Sequence, residues 1–575
     1  MRILLLTHAF NSLTQRLEAE LQRRGHETSI EFDIADSVTE EAVALFKPDL
    51  IVAPYLRRAI PDSIWKRHIC LVVHPGIVGD RGPSALDWVL QEGAAEWGVT
   101  VLQAKAEMDA GPVWATASFP LRAAKKSSIY RNEITDAAVT AVLQAVDRYA
   151  ANDRSPTLLA AWPDVRGRLR PLMRQADRAI DWQRNDTATV LKKINAADGF
   201  PGVADSLFGQ ACHIFDAWPE ALLHGKADTR AGELIARRET AVLRRTSDGA
   251  VWIGHVKRPD SIKLPATLAF AAESAALPQA PLDDWWRVGH ATWQDIAYEE
   301  SGDAGFLSFE FYNGAMSTAQ CERLRSALAW AKQRPVKVLV LLGGADFWSN
   351  GIHLNVIEAA SLADGSAADE SWNNINAMND LALELIESGD QITVAALGGN
   401  TGAGGCFLAR AADLVWARDG VMLNPHYKNM GNLYGSEYWT YLLPRRVGEE
   451  GAISIMRNRQ PLTAERAVEA GFSDACLAGD MQAFRIDVAR RAAELAAAAD
   501  LPDRLAAKCQ TRARDEAAKP LAAYRAEELA QMRRNFYGFD PSYHVARHHF
   551  VRKSPASWTP RHLARHRDLG WTVPQ

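Results

Sequence analysis

The sequence predicts a multidomain α/β chain: a parallel-sheet domain, a small β-barrel, and a second α/β domain that ends in helices. Three observations predict it. The chain has 575 residues, too many for one ordinary hydrophobic core. Apolar runs of strand length alternate with amphipathic helical stretches at both ends of the chain. Between them lie short β-like pieces separated by turns.

The first domain, residues 1–165, opens with the strand MRILLLT, the amphipathic helix Ser12–Arg24 and a second strand, Glu27–Ile34. Asp49–Ala53 and Cys70–His74 add two apolar runs. Such βαβ alternation gives a parallel sheet whose ligands sit beyond the C-terminal strand ends. No GxGxxG follows the first strand, so a dinucleotide site is not supported. Val99–Lys105 and Val113–Pro120 flank a turn holding Asp109-Ala-Gly111-Pro112, and helix follows to about residue 152. Arg154–Pro171 reads as a connector.

Residues 166–270 end in three β-like pieces, Glu233–Arg237, Thr240–Arg244 and Ala250–His255, which predict the barrel. The Ala/Pro-rich stretch within 271–289 has little periodicity and reads as a linker. A second αβ pattern fills 290–495, with strands at Gly305–Phe311, Val336–Leu342 and Ile392–Leu397. The remainder, 496–575, is Ala- and Arg-rich, helical, and closes on a basic tail.

Composition excludes several classes. With 65 basic and 70 acidic residues the formal net charge is −5, which argues against nucleic acid as a partner. No apolar segment approaches the roughly 20 residues needed to span a bilayer, and no targeting segment is visible, so the cytoplasm is expected. The six cysteines (70, 212, 321, 406, 476, 509) contain no CxxC pair, and neither a metal site nor a disulfide framework is expected.

Two groups of residues carry chemistry. In the first half a buried strand delivers His74 to its C-terminal end, and Glu107-Met-Asp109-Ala-Gly111 follows about 35 residues later. A carboxylate beside an imidazole fixes its orientation and suits it to proton transfer. A structural histidine and an ordinary Asp-Ala-Gly-Pro turn account for the same residues. In the second half, two glycine-rich segments follow buried strands: Leu342 to Leu354, and Leu397 to Phe407. Loops of this kind from neighbouring strands direct backbone N–H groups at one carbonyl oxygen, forming an oxyanion hole. Phosphate binding or tight packing explains either loop equally well.

Residues 1–150 resemble the 10-formyltetrahydrofolate-dependent formyltransferases, such as methionyl-tRNA formyltransferase. The pattern Asn-x-His-Pro-Ser-Leu-Leu-Pro-x-Tyr-Arg-Gly is matched by Val72-Val73-His74-Pro75-Gly76-Ile77-Val78-Gly79-Asp80-Arg81-Gly82, and the later Asp-x-Gly by Asp109-Ala-Gly111. Ile180-Asp181-Trp182 and Phe200-Pro201-Gly202 look like that family's C-terminal domain. The resemblance implies a Rossmann-like first domain and an OB-like barrel. It also implies 10-formyltetrahydrofolate as donor, His74 and Asp109 as catalytic residues, and Arg81 and Gly82 at the folate site. The family's catalytic Asn is Val72 here. Gln103, on a neighbouring strand, is the expected replacement donor, or else the acceptor is a thiol, a stronger nucleophile than an amine.

Residues 290–480 resemble the crotonase (enoyl-CoA hydratase/isomerase) superfamily. The matching segments are Phe309–Ser317, Trp348–Leu354, Gly402–Phe407 and Pro461–Phe472. The resemblance implies a crotonase-type spiral that binds coenzyme A. It places the oxyanion amides at Ile352 and Gly404, and coenzyme A contacts at Asn313, Ala315, Gly351 and Gly405. The hydratase acid/base Glu positions are held by Phe407 and His426, so water addition to an enoyl thioester is not expected. Tyr427 and Glu437, in the segment that replaces them, are the expected proton handlers. A glutamate in a helix's first turn also serves as a dipole partner. The basic tail around Arg547–Lys553 suits either a nucleotide phosphate or domain packing.

A formyl-folate module fused to a thioester module resembles, across the whole chain, the hydrogenase maturation factors HypX (HoxX). That resemblance implies formyl transfer from 10-formyltetrahydrofolate to coenzyme A, and then decarbonylation of formyl-CoA to CO for a [NiFe]-hydrogenase iron centre. It implies small-molecule substrates and transient contact with maturation proteins. Two alternatives stand beside it: a formyl-folate hydrolase or transferase whose second half only binds coenzyme A or a partner protein, and a non-catalytic maturation scaffold.

Overall fold

The structure, a computed structural model, describes residues 1–222, 229–282, 284–289, 292–363 and 365–568. The first domain is built on a six-stranded mixed sheet: β1 (Arg2–Thr7), β2 (Glu27–Phe32), β3 (Leu50–Tyr55), β4 (Cys70–His74), β5 (Glu96–Gln103) and β6 (Val113–Pro120). They lie in the order β2-β1-β3-β4-β5-β6. The first four pair in parallel, and β5 and β6 join antiparallel. The largely apolar β1 and β3 are buried on both faces, as strands covered by helices on each side must be.

In the middle domain, β7 (Val203–Leu207), β8 (Gln210–Glu220), β9 (Leu234–Arg238), β10 (Ala241–Arg245), β11 (Ala250–Lys257) and β12 (Lys263–Pro265) form one antiparallel sheet. The path runs β7-β8-β11-β10-β9, with β12 added beside β11. Its end strands β7 and β9 do not pair among the described residues, so the expected barrel is an open sheet. The stretch expected as a linker packs against this sheet. Ala271–Ala275 is helical, and Gln279 bridges Arg237 beside β9 through backbone bonds of Pro278 and Ala280.

The second half holds two sheets. One is β13 (Ile296–Ser301), β14 (Ala304–Phe309), β15 (Val338–Gly343), β17 (Ile392–Leu397), β19 (Leu414–Arg418) and β22 (Ala475–Leu477), in that order. The other is β16 (Phe347–Ser349), β18 (Asn400–Gly402), β20 (Met422–Asn424) and β21 (Leu462–Thr463). Successive turns of chain give one strand to the large sheet and the next to the small one, which is the expected spiral. Helices 481–496, 501–518, 521–537 and 542–552 follow. No helix among the described residues is long and apolar enough to cross a membrane.

Contacts that tie the halves include two sets. Ser128 and Asn132 donate to Asp346, and Arg131 pairs with the same carboxylate at 3.1 Å. The chain's last segment returns to β2, the edge of the first sheet. Ile30 N donates to Leu563 O, and Phe32 N to Thr559 Oγ1. His566 Nε2 lies 3.0 Å from Glu31, both side chains being fully buried. Arg567 still pairs with Glu31 at 2.9 Å when His566 is removed, but the Ser29 hydroxyl, 2.7 Å from His566 Nδ1, loses that partner. His566→Ala is therefore expected to cost about 2 kcal/mol, read as a lower melting temperature of the whole chain.

Candidate active site

His74 ends β4 with its ring buried. Its Nδ1 lies 3.6 Å from Asp109 Oδ1, beyond hydrogen-bond range, while Asp109 Oδ2 accepts from Gly82 N at 3.3 Å. The close partner is Asp80, whose Oδ2 is 2.9 Å from His74 Nε2. Arg170, from the connector, holds the other oxygen of Asp80 at 3.0 Å and reaches Glu92 at 2.6 Å. Sequence reasoning missed Asp80. The only signal for it was a carboxylate inside the loop that follows the histidine.

Gly76 makes that contact fit. A Cβ there would lie 2.5 Å from His74 Nε2 and 2.7 Å from Asp80 Oδ2. Arg81 turns instead to Glu107, at 2.6 Å. The β4–β5 register pairs Leu71 with Gln103 and Val72 with Leu102. Partners across a ladder share a face, so Gln103 projects on the side opposite Val72 and His74. Its Oε1 accepts from Trp114 Nε1 at 3.3 Å. The expected replacement of the missing Asn by Gln103 therefore fails on geometry. The structure gathers His74, Gly82 and Asp109, adds Asp80, and leaves Gln103 out.

In the second half, the segments after β16 and β18 meet. A Cβ on Gly351 would lie 3.3 Å from Gly404 N and 3.7 Å from Gly405 N. No protein acceptor takes the N–H of Ile352 or of Gly404 among the described residues. Met316 N donates to Gly351 O at 2.9 Å, anchoring this loop beside the Asn313–Ala315 segment. Asn313 itself, at φ +56°, accepts from Arg131 of the first domain at 3.1 Å. Lys553 and Lys263 share this region. Burial lowers both, Lys263 to about 8, and each feels the positive charge of Arg131. Arg547 and His548 of the same tail pair with Glu358 instead.

Glu437 is fully buried. Its Oε2 accepts from Tyr427 OH at 2.5 Å, and its Oε1 has no hydrogen-bond partner among the described residues. A Cβ on Gly404 would lie 2.5 Å from that free oxygen, so only glycine leaves room there. Burial raises the carboxyl to about 8; the Tyr427 hydrogen bond opposes this and the nearby Glu528 adds to it. Burial also pushes the Tyr427 phenol well above its ordinary value. Tyr427 stacks on Phe407, ring centroids 5.6 Å apart and planes 12° apart. His426 neighbours Arg459 and His562, is lowered to about 4 by burial, and neither ring nitrogen has a partner among the described residues.

Comparison with known proteins agrees with this division. Residues 23–146 match the formyl transferase family, 172–273 the formyl transferase C-terminal domain, and 311–561 the enoyl-CoA hydratase/isomerase family. Domains of these two kinds mark the chain as an enzyme. A methionyl-tRNA formyltransferase of Ralstonia nicotianae is 24% identical over 229 residues, covering 39% of this chain and 68% of that one. The hydrogenase maturation factor HoxX of Bradyrhizobium diazoefficiens is 56% identical over 569 residues, covering 99% of this chain and 97% of its own. The crystal structure of HypX from Aquifex aeolicus in complex with tetrahydrofolic acid superposes with a TM-score of 0.94 at 46% identity, covering 100% of both chains. The chain belongs to the HypX/HoxX family of hydrogenase maturation factors.

Proposed function

We propose that this chain moves a formyl group from 10-formyltetrahydrofolate to the thiol of coenzyme A and then decarbonylates formyl-CoA, releasing CO for the iron centre of a [NiFe]-hydrogenase. The observation that carries the proposal is the buried Glu437 carboxylate, whose one free oxygen lies against Gly404. A hydratase needs acid/base groups placed to deliver water. Here that space holds Phe407 stacked on Tyr427.

In the first step sulfur attacks the formyl carbon, the bond from that carbon to N10 breaks, and the thiol proton ends on N10. His74, oriented by Asp80, carries that proton, and Asp109 lies beside its second nitrogen. The folate-bound Aquifex relative supports tetrahydrofolate as the carrier.

In the second step the amides of Ile352 and Gly404 hold the formyl oxygen. Glu437 takes the formyl proton, the C–H pair becomes the carbon lone pair of CO, and the C–S pair leaves with sulfur. The proton then passes to the thiolate, so coenzyme A is regenerated. Burial keeps water from hydrolysing the thioester. Arg131, Lys263 and Lys553 gather cationic charge beside Asn313, which suits the diphosphate of coenzyme A. Folate and coenzyme A place the work in the cytoplasm, with transient contact to the maturation proteins that receive CO.

Isotope-labelled formyl-folate, coenzyme A and the purified chain test the scheme, with CO trapped on reduced haemoglobin. Labelled CO is expected, at more than one equivalent per coenzyme A. Labelled formate alone would overturn the decarbonylation step.

A further inference from the structure

Glu437 and Tyr438 are consecutive residues in the left-handed region, at φ +59° and +60°. Side-chain-bearing residues rarely adopt that conformation, and it persists only where surrounding contacts over-determine it. The contacts come from two helices outside the turn.

Glu528, on the C-terminal helix Leu521–Tyr537, is fully buried. Its Oε2 accepts from Tyr438 N at 3.0 Å, and its Oε1 from Thr440 N at 2.9 Å and Thr440 Oγ1 at 2.6 Å. No lysine, arginine or histidine pairs with it among the described residues. A buried carboxylate without a counter-ion is costly unless several donors satisfy it, and every one of these donors belongs to residues 436–440. Asn379, on helix Ala367–Ile386, grips the other side: its Oδ1 accepts from Ser436 Oγ and Glu437 N, each at 2.8 Å.

We propose that Glu528 is a positioning residue for decarbonylation: by fastening the N–H groups of residues 438 and 440 it holds the left-handed turn that aims Glu437 Oε1 at Gly404. The proposal rests on Glu437 acting as the base. Glu528 touches neither substrate nor reacting atoms, and it acts only through Glu437. Glutamine at 528 keeps the shape but turns half of the acceptor fork into a donor facing N–H groups, so the turn is expected to relax.

The test uses the full chain and formyl-CoA supplied directly, so that formyl transfer is read in a separate assay. Glu528→Gln is expected to lower kcat for CO release about 100-fold, the scale of a displacement near 1 Å. KM for formyl-CoA and the rate of formyl transfer stay unchanged. Combined with Glu437→Gln, it is expected to add no further loss, because both changes act on one group. A purely structural role would instead lower both activities and multiply with Glu437→Gln. Full CO release by Glu528→Gln, while Glu437→Gln has lost it, overturns the positioning role alone. If Glu437→Gln itself keeps full CO release, the assignment of the base fails first. Should Glu528→Gln not fold, Thr440→Val removes one donor only, and a loss on the order of 10-fold in kcat alone is expected; no loss there also overturns the proposal.

Discussion

Glu437→Gln is expected to reduce CO release from formyl-CoA by about 1000-fold while leaving formyl transfer to coenzyme A at its parent rate. Glutamine preserves the size of the side chain and can still accept from Tyr427, so what is lost is the ability to take a proton. The pH dependence of the parent enzyme follows from the same group. Burial holds Glu437 at about 8. A base works when deprotonated, so kcat for CO release is expected to rise about tenfold per pH unit below that value and to level above it. A rate that instead falls above pH 8 would make the neutral carboxyl the working form and Glu437 an acid.

Stability should run the other way. A carboxyl raised above its unfolded value favours the fold fully below the unfolded pKa, near 4.5, and that benefit is lost as pH rises through about 8. Glu437→Gln removes the group from this balance. Its melting temperature is therefore expected to exceed the parent's at pH 8 and to approach it at pH 5. Paired calorimetric scans at the two pH values check this. A gain in stability that accompanies a loss of activity is the mark of a group kept for chemistry.

Much of the architecture was legible because burial leaves a period in the sequence. β1, β3 and β15 are apolar runs covered on both faces, and such runs stand out from amphipathic helices. The open middle sheet was not legible. Its hairpins show in the alternation of β10 and β11, but closure depends on whether β7 meets β9, and no local pattern encodes that. The packing of the linker was not legible for a related reason: Pro278 and Ala280 bond to Arg237, about 40 residues away, through backbone atoms that leave no composition signal.

Within the first site, what the sequence left open was a question of face. Gln103 lies on the expected strand, but the antiparallel register turns it toward Trp114. A period of two makes a one-residue shift a change of side. Glu437 and Tyr427 stand out in the sequence because they lie in the polar segment that replaces the family's usual acid/base positions, and the structure brings the two side chains into contact. Asp80 and Glu528 were not, since each is defined by tertiary partners: Arg170 for one, the 436–440 turn for the other.

Substitutions at the first site are expected to produce the mirror image of those at the second. His74→Asn should lower formyl transfer about 1000-fold, and Asp80→Asn about 100-fold, with CO release from supplied formyl-CoA unchanged in both. The two effects differ because Asp80 does not carry the proton; it fixes the ring that does. In the parent, Asp80 on Nε2 favours the tautomer with its proton there and leaves Nδ1 bare toward Asp109. Nitrogen NMR of labelled histidine, with His74→Asn used to assign the signal, should show that single tautomer in the parent and a mixture in Asp80→Asn. Gly76→Ala reaches the same endpoint by steric means, since its Cβ would push between the imidazole and the carboxylate. Formyl transfer that survives both changes would mean the Asp80 contact only packs the loop, and proton transfer would then rest on Asp109, which must first close the 3.6 Å gap to His74.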